Sequence, residues 1–319
     1  MVILVGIDEA GFGPLLGPLV VSSSTFSLPH NLLTSDLWQI LRKSISYSRK
    51  GLAGRLLITD SKKAYSKSIG IKHLQRTVLT ALKYLGKEPA TLTELLDILS
   101  PSSLERLRVY PWYEDIEEHT VSIDAADKNI ASAVLADDLG SNGIELLDLK
   151  SCCLDVAYYN KMVAAVKNKA NVLFSATCRL IKSAYDNFAG DDLQIVVDRQ
   201  GGRVHYRKNL QRMFDGMELK ILRESPASSS YELQAGNKAM RVHFVIGADR
   251  RFLPVSLASM VSKYLRELLI SNLNRYFIGF STDLKPTAGY WKDGLRFIEE
   301  IKTNLPDVRF DSDQLIRSR

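Results

Sequence analysis

The sequence predicts a layered fold of mixed α/β or α+β type, which we assign to the α/β class with a mixed sheet. Two apolar runs near the N-terminus, residues 2–7 and 19–28, are typical of neighbouring strands joined by a glycine- and proline-rich turn. After them, helical and strand-like patterns alternate along the chain. With 319 residues, 45% of them hydrophobic, the chain is long enough to bury a substantial core.

Each later element is predicted from its own periodicity. Between residues 71 and 85, apolar side chains recur at steps of three and four, which indicates a helix that ends at Gly86. The other elements of the first half are a strand at 55–59 and short helices at 91–99, 102–107 and 124–135. The second half is predicted to contain a strand within 144–157, a helix at 160–188, strands at 193–197, 219–222, 231–234 and 242–246, and helices at 255–276 and 294–301.

The domain boundaries follow from where this regular pattern stops. Residues 86–145 carry no long periodic pattern, so we predict that they form a helical insertion. The predicted core consists of residues 1–85 and 146–282, and residues 283–319 form a helical C-terminal extension. The acidic run at 114–118 would repel a phosphate backbone, so we expect the insertion to point away from any nucleic acid or to bind a protein partner.

Charge and cysteine usage narrow the class of protein. Lysine and arginine outnumber the acids by 42 to 36, giving a net charge of +6, which favours a polyanionic partner but does not by itself establish one. The three cysteines, Cys152, Cys153 and Cys178, show no zinc-ligand spacing and are expected to be free thiols. The N-terminus does not resemble a signal peptide and no long apolar segment is present, so we expect a soluble, cytoplasmic protein.

Four acids share one position in the pattern: each lies where a buried strand ends or just beyond. These are Asp8, Glu9, Asp198 and Asp249, here called the carboxylate quartet. Because ligands of α/β sheets gather outside strand ends, we expect the quartet to converge if the strands are neighbours. Acids at strand ends also occur in turns and as helix N-caps, and this structural explanation remains open for each residue.

Converging carboxylates favour a hard divalent cation. Like charges at close range cannot all stay ionised unaided, and Mg²⁺ or Mn²⁺ would relieve their repulsion. Two such ions can stabilise the attacking and leaving oxygens of a phosphodiester. The sequence contains no GxSxG, Walker A or HExxH motif, so the pattern favours metal-assisted hydrolysis without a protein nucleophile.

The motifs around the quartet resemble those of ribonuclease HII, the type 2 ribonuclease H family. The matching segments are GIDEAGFGP at 6–14 with GP at 17–18, DSKK at 60–63, VVD at 196–198, GAD at 247–249 followed by Ser259, Lys263 and Arg266, and GY at 289–290. Together they cover residues 1–85 and about 146–300, and their order and spacing are more specific than any single motif.

The resemblance implies a ribonuclease H-like fold and a metal-dependent endoribonuclease. Such an enzyme cleaves the RNA strand of RNA–DNA hybrids, or cuts at ribonucleotides embedded in duplex DNA, with Mg²⁺ or Mn²⁺. The quartet would supply the metal ligands and catalytic groups. The residues implied to bind substrate are Gly11, Phe12, Gly13, Lys62, Ser259, Lys263 and Tyr290.

The sequence departs from the family pattern within the glycine loop, residues 11–13. Phe12 stands where the family has arginine, so an apolar ring replaces a cation. The ring can stack on a base or sugar, or indicate an altered substrate preference. Two alternatives therefore stay open: a DNA nuclease or strand-transfer enzyme on the same fold, and a non-catalytic nucleic-acid-binding homologue.

Overall fold

A computed structural model describes residues 1–66 and 68–318. The strands are β1 (Val2–Ala10), β2 (Leu19–Leu28), β3 (Ile45–Ser46), β4 (Leu56–Leu57), β5 (Glu145–Leu154), β6 (Asp192–Asp198), β7 (Glu218–Glu224), β8 (Ser228–Ala235) and β9 (Lys238–Val245). The α-helices are α1 (Leu37–Ile40), α2 (Ser61–Ala64), α3 (Lys72–Tyr84), α4 (Leu92–Leu99), α5 (Leu104–Leu107), α6 (Ala125–Ser141), α7 (Val156–Val166), α8 (Lys169–Phe188), α9 (Arg207–Met213), α10 (Leu253–Phe280), α11 (Trp291–Asn304) and α12 (Ser312–Leu315). Short 3₁₀ turns occupy His30–Leu32, Pro101–Ser103, Pro111–Tyr113, Ile116–Glu118 and Ala248–Arg250.

One mixed sheet of seven strands organises the molecule, in the order β5–β2–β1–β6–β9–β8–β7. The first two strands form an antiparallel pair, and β5 extends that pair on the far side of β2. In the centre, β1, β6 and β9 run parallel to one another. The hairpin of β7 and β8 continues the sheet beyond β9 with antiparallel pairing. This sheet confirms the predicted α/β class with a mixed sheet.

Helices cover both faces of the sheet because the central strands are apolar on both sides. Along β1, Leu4 belongs to the core under α10, whereas Val5 and Ile7 belong to the core under α8. Gly6 lets α10 approach closely, since a Cβ there would lie 2.2 Å from the backbone of Pro254. The start of α10 therefore lies directly against the central strand.

Two predicted elements differ from the structure. The single helix predicted over residues 160–188 is wrong: α7 ends at Val166, and Lys167 takes a left-handed conformation with φ of 51°. Asn168 then starts α8, because its side chain accepts hydrogen bonds from the backbone of Ala170 and Asn171. The strand predicted at 55–59 is only two residues long, and it pairs with β3 outside the main sheet.

The predicted insertion packs onto the core rather than standing apart. The ring of Trp112 lies 5.8 Å from that of Phe277 on α10, and Arg76 on α3 pairs with Asp127 on α6 at 2.7 Å. The acids of the 114–118 run are exposed. The domain division and the protein partner of the insertion stay predictions.

The cysteines and the apolar length of the helices are two further features of the fold. Cys152, Cys153 and Cys178 are free thiols, as predicted. Even α10, with 28 residues, lacks the continuous apolar stretch that crossing a bilayer demands, and so does every other helix described in residues 1–66 and 68–318.

Candidate functional site

The carboxylate quartet lies at the sheet edge where the three parallel strands end. Asp8 and Glu9 are near the end of β1, and Asp198 is the last residue of β6, its parallel neighbour. Asp249 follows β9, the next parallel strand, in the 3₁₀ turn Ala248–Arg250. The strand order thus brings together acids that are up to 241 positions apart (249 − 8) in the sequence.

Burial and mutual repulsion disfavour the charged forms of the two acids on β1. Burial, followed by the charges of Glu9 and Asp198, raises the pKa of Asp8 well above its ordinary range. One Asp8 carboxylate oxygen accepts the Glu9 backbone N–H at 2.7 Å, which offsets part of this effect. Burial, followed by the Asp198 charge, raises the pKa of Glu9 to about 7.

The other two acids experience the same repulsion. Burial raises the pKa of Asp198 to about 6, and the Asp249 charge contributes to the rise, although Asp198 accepts the Ala248 N–H at 2.7 Å. Burial, followed by the charge of Asp60, raises the pKa of Asp249. Each member of the quartet is therefore close enough to at least one other member for their negative charges to repel each other.

Lys62 is a cation shared by three of the four acids. Its charge lowers the pKa values of Glu9, Asp198 and Asp249. Asp60 holds Lys62 in place, because the Asp60 side chain caps α2 and accepts the Lys62 N–H at 2.9 Å. A single exposed lysine offsets only part of the repulsion, since all four pKa values remain raised.

The quartet fits a divalent cation in donor chemistry but not yet in arrangement. Its oxygens are the ligands that Mg²⁺ and Mn²⁺ prefer. In residues 1–66 and 68–318, however, no three His, Cys, Asp or Glu side chains are already positioned to hold a metal ion. Asp8 and Asp198 each direct one oxygen to a backbone N–H instead. Binding a cation would require these side chains to turn toward a common point.

The glycine loop follows directly on β1, and its two glycines differ in their surroundings. Gly11 has φ of +92°, and a Cβ there would lie 2.6 Å from both the Pro18 carbonyl oxygen and the Arg266 side chain. Gly13 is exposed, with open space around it. Packing therefore requires glycine at position 11, whereas position 13 leaves room for another molecule. Between them, Phe12 is half-buried.

The α10 residues with implied substrate roles are buried and already bonded. Ser259 donates to the Ser61 hydroxyl at 3.0 Å, and the proximity of its hydroxyl to the Asp8 carboxyl lowers the pKa of Asp8. The Lys263 ammonium donates to Glu267 at 2.6 Å and lies 4.5 Å from the centre of the Tyr65 ring. A phosphate would therefore have to compete with this internal ion pair for Lys263.

Tyr290 is placed differently, with half of its surface exposed at the start of α11. The Arg266 guanidinium lies 5.8 Å from its ring centre. Gly289, just before it, has φ of +80° and accepts the backbone N–H groups of Leu15 and Leu16. This link places Tyr290 on a segment that is bonded to the residues just after the glycine loop.

Two basic residues near the glycine loop are not predicted from the sequence. Arg317 donates hydrogen bonds to the carbonyl oxygens of Gly11 and Phe12, and the Lys169 ammonium lies 5.5 Å from the centre of the Phe12 ring. No local pattern indicates these contacts, because they depend on how the C-terminal segment and the start of α8 pack against the loop.

Comparisons with known proteins give similarity at the level of solved structures. No family model matches the chain, and no curated protein matches its sequence. A ribonuclease HII from Archaeoglobus fulgidus, in a complex with PCNA, matches 99% of this chain and 94% of its own, with 16% identity and a TM-score of 0.46. The ribonuclease H2 of Pyrococcus horikoshii matches 98% of this chain and 92% of its own, with 16% identity and a TM-score of 0.43.

A third solved structure, Bst-RNase HIII in complex with Mn²⁺, matches 99% of this chain and 66% of its own, with 14% identity and a TM-score of 0.46. All three of these solved structures are ribonucleases H, of the types HII, H2 and HIII.

Proposed function

We propose that this chain is a divalent-metal-dependent ribonuclease H that cleaves the RNA strand of RNA–DNA hybrids or cuts at ribonucleotides embedded in duplex DNA. The observation that carries the proposal is the carboxylate quartet, with raised pKa values at the ends of three parallel strands. A bound divalent cation would favour the charged forms of these carboxylates, which burial and mutual repulsion disfavour. The motif resemblance supplies the substrate class.

In this proposal the quartet holds the metal, and Asp8 has a central part because it is the most deeply buried of the four acids. Bound Mg²⁺ or Mn²⁺ would supply Lewis acidity and an activated water at the scissile phosphate. Lys62, exposed beside three of the acids, would contact a phosphate of the substrate strand. Ser259 would orient Asp8 by turning its hydroxyl from Ser61 toward the Asp8 carboxylate.

Selection for RNA would depend on the glycine loop and Tyr290. Gly13 lies in open space and leaves the loop backbone accessible to a ribose 2′-hydroxyl, the group that distinguishes RNA from DNA. Gly11 instead lets Pro18 and Arg266 pack against the loop. Tyr290 is half-exposed and follows Gly289, which is bonded to Leu15 and Leu16, and it would pack on the neighbouring sugar. Phe12 would add an apolar contact where the family pattern has a cation.

The experiment is a cleavage assay on four labelled substrates with Mg²⁺ or Mn²⁺. These are a DNA duplex with one ribonucleotide, an RNA–DNA hybrid, an all-DNA duplex and single-stranded RNA. We expect cutting of the first, the second or both, and none of the others. The substrate that is cut decides between single embedded ribonucleotides and longer hybrids.

Two controls separate the alternatives. Asp8→Asn should lose cleavage, which excludes a contaminating nuclease, while circular dichroism should show that the variant is folded. Cutting of the all-DNA duplex would favour the DNA nuclease alternative. No cutting by folded protein with either metal, together with unchanged thermal stability on metal addition, would contradict the proposal and favour a non-catalytic binding protein.

A further inference from the structure

A basic cavity lies on the side of the glycine loop that is lined by the C-terminal segment and the start of α8. Its volume is about 360 Å³, within the roughly 300–1,000 Å³ typical of small-ligand sites. Phe12, Lys169, Trp291 and Arg317 are among its lining residues, and none of those residues is an aspartate or glutamate. Its charge is therefore opposite to that of the carboxylate quartet.

Arg317 brings a buried cation to this cavity. Only 4% of its surface is exposed, and its guanidinium donates to Gly11 and Phe12 carbonyl oxygens and lies 4.1 Å from the centre of the Tyr159 ring. Its backbone N–H donates to the Leu15 carbonyl at 2.9 Å, which fixes the C-terminal segment against the loop. In the described part of the chain, its buried Nε has no hydrogen-bond partner.

Lys169 supplies a second, accessible cation. It is the exposed first residue of α8, a helix of 20 residues whose N-terminus adds partial positive charge. Its ammonium lies 5.5 Å from the centre of the Phe12 ring, so cation and ring face the same space. A phosphate near Lys169 would thus meet a full charge, a helix N-terminus and the guanidinium of Arg317.

Aromatic side chains give the cavity a second kind of contact. Phe12 is half-buried and Trp291 is exposed. A planar base or a sugar packs favourably on such rings, and a phosphate packs poorly on them. Cations together with aromatic rings, without an acid, are the combination that recognises a nucleotide.

We propose that this cavity binds one nucleotide of the substrate, with its phosphate at Lys169 and Arg317 and its sugar or base against Phe12. This inference rests on the proposed function and extends it, because no member of the carboxylate quartet lines this cavity. Substrate affinity then depends on a nucleotide beyond those that reach the acids.

The test compares Lys169→Ala with Lys182→Ala in full-length protein. Both lysines are exposed on α8, and replacing either by alanine changes the net charge equally. Lys182 pairs with Asp186 in its own helix. Binding of a labelled duplex with one ribonucleotide is measured by fluorescence anisotropy in EDTA at several salt concentrations. We expect Lys169→Ala to weaken binding roughly 3- to 10-fold and to reduce the salt slope by about 0.9, as for one lost phosphate contact. Lys182→Ala should bind as the wild type does.

A series of duplexes shortened from each end locates the contact. The deficit of Lys169→Ala should disappear once the nucleotide that reaches the cavity has been removed, whereas the wild type should lose affinity at that same step. Arg317→Met gives a second reading if its melting temperature shows that it is folded. It should show the same dependence on duplex length.

The outcomes separate the two proposals. If the wild type cleaves its substrate but Lys169→Ala matches Lys182→Ala at every salt concentration and length, the nucleotide subsite is wrong and the ribonuclease assignment stands. If the wild type neither binds nor cleaves any duplex, the ribonuclease assignment is wrong, and the subsite inference falls with it.

Discussion

The carboxylate quartet and the basic cavity, which both adjoin the glycine loop, differ in how the fold treats buried charge. Burial and mutual repulsion raise the pKa values of Asp8 and Glu9, and hydrogen bonds offset only part of this rise. Burial also lowers the pKa of Arg317, but two carbonyl oxygens and the face of Tyr159 support its charge. Fixed dipoles and an aromatic face therefore support the cation, whereas the acids also repel one another. This difference predicts which perturbations matter most.

The largest effect should come from removing one carboxylate of the quartet. Asp8→Asn is expected to lower cleavage at least about 100-fold, because even outer partners of a metal site change activity or affinity by 10–100-fold. Initial rates at saturating metal provide the measurement. The matched control is Asp192→Asn, at the opposite end of the parallel strand β6. Equal loss in both variants would show that the position at the strand end has no special role.

The next effect concerns stability within the glycine loop itself. Gly11→Ala should lower the free energy of unfolding by about 1–3 kcal/mol, because φ is +92° and a Cβ would meet the Pro18 carbonyl at 2.6 Å. Gly13→Ala, in open space, should cost less than about 0.5 kcal/mol. Urea denaturation measures both values. If Gly13→Ala is as destabilising as Gly11→Ala, Gly13 does not lie in the open space that distinguishes it from Gly11.

A smaller effect separates repulsion from structural support at Glu9. Because its folded pKa is raised to about 7 from an ordinary 4.5, the folded state binds the proton more tightly than the unfolded state. Stability therefore falls as pH rises from about 4.5 through 7 in metal-free buffer. Glu9→Gln should weaken this dependence and raise the free energy of unfolding at pH 8 by about 1–2 kcal/mol.

The measurement for Glu9 is urea denaturation of wild type and Glu9→Gln in EDTA at pH 5 and pH 8. Gln cannot ionise but keeps the size of the side chain, so packing is little changed. If the variant is less stable than the wild type at pH 8, the Glu9 charge supports the fold, which would contradict the destabilisation expected from its burial and repulsion.

Local patterns in the sequence predicted much of the fold. The strands β1 and β6, the long helix α10 and the acids beside them depend on apolar periodicity and on where it ends, and both can be read along the chain. The split between α7 and α8 was missed because the apolar stripe continues across it. The cap at Asn168, which starts α8, is not part of that periodicity.

Long-range contacts could not be predicted from local patterns. Arg317 reaches Gly11 from the far end of the chain, and the placement of Lys169 depends on how α8 begins. The pairing of Lys263 with Glu267 could have been suspected from their four-residue spacing on one helix, but their burial could not. Residue type and spacing thus indicated the four acids, whereas the contacts of Lys169 and Arg317 with the glycine loop became visible only in the folded structure.

The proposed function requires the carboxylate quartet to bind a divalent cation. Calorimetric titration of Mn²⁺ into the wild type, Asp8→Asn and Asp192→Asn at pH 7.5 tests it without relying on activity. We expect saturable binding by the wild type and Asp192→Asn, and binding at least about tenfold weaker by Asp8→Asn. Indistinguishable titrations of all three proteins, or no binding by the folded wild type, would contradict the proposed function.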